Sequence, residues 1–75
     1  MNKTDMVKEA IVSGEIKKAL RIAKSFRINV TADQRDAMSR AYECIVHPDF
    51  YRQIGVDTQA AIDKGVTVVT ALYGS

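Results

Sequence analysis

The sequence predicts an all-α fold, a compact bundle of about four short helices plus a helical turn that begins at Pro48. Apolar side chains recur every three or four residues along most of the chain, which is the period of a helix that buries one face. Capping and stop residues such as Thr31 and Gly55 divide that pattern into short segments. No second segment offers a strand partner for the β-branched run at residues 66–70, so a sheet is not expected.

Length and composition place the chain among ordinary globular domains. Its 75 residues predict one domain, residues 1–75, and an apolar fraction of 47% argues against disorder. A single cysteine excludes an intrachain disulfide and therefore a secreted scaffold held by disulfides. The apolar runs fall short of the roughly 18 residues that span a membrane, and the N-terminus lacks the apolar core of a signal peptide. We therefore expect a cytoplasmic protein without membrane contact.

Two helices are predicted in the N-terminal part of the chain. Thr4 is the expected N-cap of a first helix over residues 5–12, and Gly14 is its expected stop. The second helix begins at Glu15 and should end at about residue 27 or 28, where Asn29 tolerates the left-handed conformation that closes it. Because only two or three residues join the two helices, they should form a helical hairpin.

The third helix, residues 32–46, is the most clearly marked. Thr31 stands three residues before Gln34, which is the spacing of a capping box. Pro48 disfavours the helical conformation of the residue before it, so this helix should end near Val46.

A short helical turn, residues 49–54, should follow, with Pro48 as its first residue because that position needs no N–H donor. We expect Phe50, Tyr51 and Ile54 to enter the core from two faces of the turn. Gly55 is the expected left-handed stop.

The last element, residues 58–73, carries conflicting signals. Asp57 is a good N-cap and the apolar residues keep a helical spacing, but residues 66–70 are all β-branched and Gly65 lies in the middle. We favour a helix with a possible break at Gly65. The alternative is a strand, whose natural partner would be the same strand of a second chain.

Five cations on one face of the second helix give the sharpest functional pattern. Residues 1–30 carry a net charge of +4 and residues 31–75 a net charge of −2, so the chain is bipolar. Such a stripe can contact nucleic-acid phosphates or an acidic partner, although solvated Lys and Arg faces are common. A helix-turn-helix motif is not matched, because its alignment places Arg27 where a glycine is needed and Asp33 where an apolar residue is needed. The third helix also begins with two aspartates, which would repel phosphate. The stripe consists of Lys17, Lys18, Arg21, Lys24 and Arg27.

The tripeptide His47-Pro48-Asp49 resembles the signature of the co-chaperone J domain, which also lies between two helices. In that family the preceding helix is strongly basic and docks on the chaperone. Here the third helix carries three carboxylates against two cations. A proline corner with His47 as a cap or facing solvent is the favoured interpretation.

Catalytic and metal-binding patterns are weak. Cys44 and His47 lie three residues apart, but tetrahedral zinc needs three or four protein ligands and the chain adds only Asp49 nearby. The sequence contains no glycine-rich phosphate loop, and no carboxylate pair stands out. We therefore predict a protein that is not an enzyme, with no catalytic residues, no metal site and no cofactor.

Residues 41–55, AYECIVHPDFYRQIG, and residues 57–74, DTQAAIDKGVTVVTALYG, resemble small uncharacterised helical proteins of bacterial prophages and mobile elements. The resemblance covers about residues 7–74 and carries over no functional residue. It implies an accessory protein that regulates, adapts or inhibits by binding. We expect protein–protein contact, with Phe50 and Tyr51 as candidate contact residues and self-association favoured by the small core. Nucleic-acid binding through the basic face is the alternative.

Overall fold

Five α-helices and no strand form from residues 2–74, the part of the chain that the computed structural model describes. The all-α class and the number of elements are therefore confirmed, with the proline-started turn counted as the fourth helix. The helices are α1 (Lys3–Val12), α2 (Ile16–Ala23), α3 (Ala32–Val46), α4 (Pro48–Gln53) and α5 (Thr58–Tyr73).

Helix α1 begins earlier than the predicted cap. The side chain of Asn2 accepts a hydrogen bond from the Asp5 N–H at 2.8 Å, so Asn2 is the N-cap and Thr4 lies inside the helix. The prediction of Thr4 was wrong because Asn caps at least as well as Thr and the earlier start adds helical hydrogen bonds. The predicted end is correct, since Gly14 has a φ of 78° and its N–H donates to the carbonyl of Ile11.

Helix α2 is shorter than predicted and ends at Ala23 instead of residue 27 or 28. The Ser25 hydroxyl donates to the Ile22 carbonyl at 3.1 Å, an alternative partner that competes with helical pairing. Asn29 does adopt a left-handed φ of 60°, but it does so inside the loop that leads to α3. The last predicted turn of α2 is therefore an irregular segment, and Arg27 does not lie on the helix face.

Helix α3 has the predicted bounds and the predicted capping box. The Thr31 hydroxyl accepts from the Gln34 N–H at 3.1 Å, and the Gln34 side chain accepts from the Thr31 N–H at 2.9 Å. The helix ends at Val46, as the position of Pro48 required. Local chemistry alone was sufficient to place this element.

Helix α4 starts at Pro48 and is closed by Gly55, which has a φ of 87°. The expectation that its large side chains enter the core was wrong for Phe50, which is 56% exposed, and for Ile54, which is 59% exposed. Tyr51 is half-buried, and every residue of α4 is at least partly exposed. A helix of 6 residues spans fewer than two turns, so only one narrow side of it can face α3 and α5.

Helix α5 runs unbroken through Gly65, and the strand alternative is excluded. Gly65 is buried where α5 crosses α3, the two helices with the most extensive contact in the fold. A Cβ atom added to Gly65 would overlap the Cβ of Ala41 and lie 3.0 Å from the Ala37 carbonyl oxygen. This close approach explains the glycine, and the packing it permits outweighs the weak helix propensity of the β-branched run.

The core lies where the α1–α2 hairpin packs against α3 and α5. Leu20 and Met38 are its largest fully buried side chains, and many of its other members are alanines, which let the helices approach closely. Helices within residues 2–74 fall short of the length and apolar character that crossing a membrane demands. The buried cluster contains Val7, Ala10, Ala19, Leu20, Ala23, Met38, Ala41 and Val69.

Candidate functional site

The five cations of the predicted basic stripe do not lie on one surface in the structure. Lys17, Lys18 and Arg21 are exposed on α2 and line a shallow groove of about 590 Å³, which we call the α2 groove. Tyr42 of α3 forms the aromatic part of its wall. The carboxylate of Glu15 also lines the groove, so its net charge is +2. Cations beside a half-buried aromatic ring suit a phosphate-bearing or acidic partner.

The remaining two cations of the stripe do not join that groove. The Lys24 ammonium lies 5.0 Å from the centroid of the Tyr42 ring, in a cation–π contact that also holds α2 against α3. Arg27 lies beyond the end of α2 and lines a different groove. The predicted stripe extended too far at Arg27, because the sequence pattern assumed a helix that continues to residue 27 or 28.

The two predicted partner-contact residues lie together on α4 but differ in exposure. Phe50 projects into solvent, and the half-buried Tyr51 ring meets it edge to face with centroids 5.1 Å apart. The Arg40 guanidinium lies 5.3 Å from the Tyr51 centroid and covers that ring from α3. We call the exposed residues Asp49, Phe50 and Ile54 the α4 surface.

Asp49 supplies the negative charge of the α4 surface. Its side chain is 92% exposed and approaches the Arg52 guanidinium at 3.6 Å, in an open ion pair between residues three apart. Solvent screens such a pair strongly, so its contribution to stability is small. Asp49 therefore stays accessible to a cation from another molecule.

Sequence reasoning missed a third feature, which we call the cationic groove. It is a cleft of about 500 Å³ between the start of α1, the loop after α2 and the end of α5. Lys3, Lys8 and Arg27 line it together with apolar side chains that include Phe26 and Tyr73. The groove gathers residues from three separate segments, and the only sequence signal for it was the positive charge of residues 1–30.

An aromatic pair lies in the cationic groove. Phe26 and Tyr73 meet edge to face with centroids 5.6 Å apart, which connects the α2–α3 loop to the end of α5. Desolvation by partial burial raises the pKa of the Tyr73 phenol above its ordinary value. The shift is away from neutral pH, so the phenol keeps its proton there, as an ordinary tyrosine does, and offers a hydroxyl donor.

A cleft between α3 and α5 carries the opposite sign. Asp33, Asp36 and Glu43 line a space of about 520 Å³ together with Arg40 and Lys64. Its charges are mixed and mostly exposed. This cleft accounts for part of the negative charge of the C-terminal part of the chain.

The Cys44 and His47 pair does not form a shared site. Cys44 is fully buried on α3, whereas His47 is exposed at the corner between α3 and α4. Across residues 2–74, no three His, Cys, Asp or Glu side chains come together as a cluster that could hold a metal ion. His47 serves as the C-cap residue of α3, where its N–H donates to the Glu43 carbonyl at 2.7 Å.

Comparison of the chain with protein-family models, with curated proteins and with solved structures found no match.

Proposed function

We propose that this chain is a non-enzymatic binding protein that acts by protein–protein contact through the α4 surface, with copies of itself among its partners. The exposure of Phe50 and Ile54, more than half of each side chain, carries the proposal. Ile54 is the C-cap residue of α4, and its N–H donates to the Phe50 carbonyl at 3.3 Å, so the two side chains four positions apart lie on the same side of the helical turn. Aromatic anchors of this kind are enriched at the centres of protein interfaces.

Size and stability support the same proposal. A chain of 75 residues buries a smaller fraction of its surface than a larger domain does, and half of the residues in its fully buried core cluster are alanines. Covering Phe50 and Ile54 in an interface adds apolar burial that the isolated fold lacks. The resemblance to prophage and mobile-element proteins implies a cytoplasmic accessory protein that acts by binding. That role is compatible with a small protein that acts through contact with other proteins.

The test is the mass of the protein in solution by light scattering, from low to high micromolar concentration. We expect the wild-type mass to rise above that of a monomer and the double variant Phe50→Ser, Ile54→Ser to stay monomeric. Far-ultraviolet circular dichroism checks that the variant keeps its helices. A matched control, Val12→Ser, changes another highly exposed apolar residue outside the α4 surface and should leave the mass unchanged.

A wild-type protein that stays monomeric at every concentration would remove the claim of self-association. A variant mass equal to that of the wild-type oligomer would remove the α4 surface from the contact.

The second candidate function is nucleic-acid binding through the α2 groove. The observation that favours it is the grouping of Lys17, Lys18 and Arg21 beside the ring of Tyr42. Three cations neutralise few phosphates, so such binding is weak, tolerant of sequence and strongly dependent on salt.

Light scattering with a mixed-sequence duplex at two salt concentrations tests this second candidate. Binding at low salt that is lost at high salt supports it, and the triple variant Lys17→Glu, Lys18→Glu, Arg21→Glu should abolish the complex. Lys24 is left unchanged because its contact with Tyr42 also supports the fold. A wild-type mass that is indifferent to the duplex at both salt concentrations rejects the candidate.

A further inference from the structure

The cationic groove presents positive charge around an apolar floor. Lys3, Lys8 and Arg27 line it, and no carboxylate from residues 2–74 does so. Helix dipoles do not decide the sign of the potential here, because the positive end of α1 and the negative end of α5 both lie at this groove and oppose each other. The three side chains therefore set the sign, and the groove favours an anionic group.

Charge alone does not describe what the groove would hold. Phe26, Leu72 and Tyr73 are half-buried in its wall, and Ile28 stands at its rim almost fully exposed. An inorganic anion would leave these apolar surfaces in water. A volume of about 500 Å³ is within the range of protein binding clefts. The fitting occupant has large apolar side chains with a carboxylate beside them.

The α4 surface has this composition. Phe50 and Ile54 supply the apolar side chains, and Asp49 supplies an exposed carboxylate next to Phe50, in an open ion pair with Arg52 that the groove cations would replace. If Ile54, the C-cap residue, continues the turn at about 100° per residue, the directions of these three side chains fall within about 140° around the α4 axis. They therefore form one face that a single groove can contact.

The α4 surface and the cationic groove lie at opposite ends of α5. Helix α4 adjoins the start of α5, whereas Leu72 and Tyr73 at its end line the groove. A helix of 16 residues is about 24 Å long, so the two surfaces of one molecule cannot meet. Contact between them requires two molecules.

We infer that the cationic groove receives the α4 surface of a second copy of this chain, so that copies associate head to tail. The inference rests on the proposed function and names the partner of the α4 surface. A symmetric contact between two α4 surfaces would offer each Asp49 at most the Arg52 of the other copy and would leave the groove uncovered. The groove offers Asp49 three cations and covers Phe50 with apolar side chains.

Complementation between two variants tests the inference. The first, Phe50→Ser with Ile54→Ser, loses the α4 surface but keeps the groove. The second, Lys8→Glu with Arg27→Glu, reverses the groove but keeps the α4 surface, and both of its positions are exposed. Each variant alone should be monomeric, with self-association weakened by at least about tenfold. Their equimolar mixture should give a dimer that contains one copy of each and grows no further.

A matched control tests whether the position of the reversed charges matters, or only the change in net charge. Lys17→Glu with Lys18→Glu makes the same change in net charge at exposed positions of the α2 groove. It should self-associate as the wild type does. Native mass spectrometry, with one variant carrying a tag of different mass, identifies the composition of the mixed dimer.

Three outcomes would overturn the inference, and they separate it from the proposed function. If only the α4 variant is monomeric and the groove variant still assembles, α4 is a contact but the groove is not its partner. If both variants are monomeric and their mixture stays monomeric, the two surfaces do not bind each other. If the wild type itself is monomeric at every concentration, head-to-tail contact is rejected together with the claim of self-association.

Discussion

Helices α4 and α5 follow one another along the chain, but they differ in how far their sequence signals agree with the burial of their side chains. Helix α5 has a glycine in its middle and a β-branched run, yet it forms 16 residues of continuous helix because α3 packs closely against Gly65. Helix α4 has good start and stop signals and large apolar side chains, yet Phe50 and Ile54 remain exposed. The contrast indicates that in this fold a small residue which permits close approach of two helices decides packing where large residues without a facing helix stay exposed.

The largest effect is expected at Met38, a fully buried core side chain on α3, the helix that packs most extensively against α5. We expect Met38→Ala to lower the free energy of unfolding by about 3 kcal/mol, since it removes buried apolar contacts and leaves a cavity. Urea denaturation followed by circular dichroism measures the loss. Ile54→Ala, at the C-cap of α4, is the matched control, and a loss there as large as the loss at Met38 would contradict the difference between the packed α3–α5 contact and the exposed α4.

The close approach of α3 and α5 predicts the next effect. Gly65→Ala should destabilise by about 2 kcal/mol, because the added methyl group overlaps the Cβ of Ala41 and the cost of overpacking exceeds the gain in helix propensity. The second variant, Ala41→Gly in the Gly65→Ala background, makes room for that methyl group. A double-mutant cycle by thermal denaturation should show recovery of part of the loss, and strict additivity of the two changes would contradict the described contact.

Helix capping predicts a smaller effect at the start of α3. Thr31→Ala should cost about 1 kcal/mol, because it removes one of the two hydrogen bonds of the capping box. Thr4→Ala is an informative comparison, since Thr4 looks like a cap in the sequence but lies within α1. Equal losses at the two positions, in the same denaturation experiment, would place the start of α1 at Thr4 and not at Asn2.

The smallest effect on stability is expected where the effect on association is largest. Phe50→Ser with Ile54→Ser should change the free energy of unfolding of the monomer by no more than about 0.5 kcal/mol for each residue, since both side chains are already mostly in water. Denaturation at a concentration low enough to keep the wild type monomeric measures this value. A loss of several kcal/mol would mean that α4 supports the core.

The structural features that the sequence predicted correctly are those determined by residues close together along the chain. Gly14 and Gly55 have positive φ values, Pro48 is the first residue of α4, and Thr31 and Gln34 form the capping box. Each of these features is decided within about five residues of chain, so the pattern alone contains the cause.

What the sequence did not predict depends on residues that are distant along the chain. Gly65 is explained by Ala41 on another helix, and the exposure of Phe50 depends on how much of α4 the rest of the fold can cover. The cationic groove is the clearest case, because Lys8, Arg27 and Tyr73 come from three elements. The basic stripe was only partly correct, since an early end of α2 moved Arg27 away from it.

The fully buried thiol of Cys44 gives the molecule a chemical reporter of its own opening. An alkylating reagent can reach the sulfur only while α3 is separated from the helices that cover it, so the alkylation rate measures how often that separation occurs. Because the chain has a single cysteine, the signal comes from one site without any engineering. The same reaction can therefore compare, in native buffer, how self-association and each substitution alter the breathing of the α3 region.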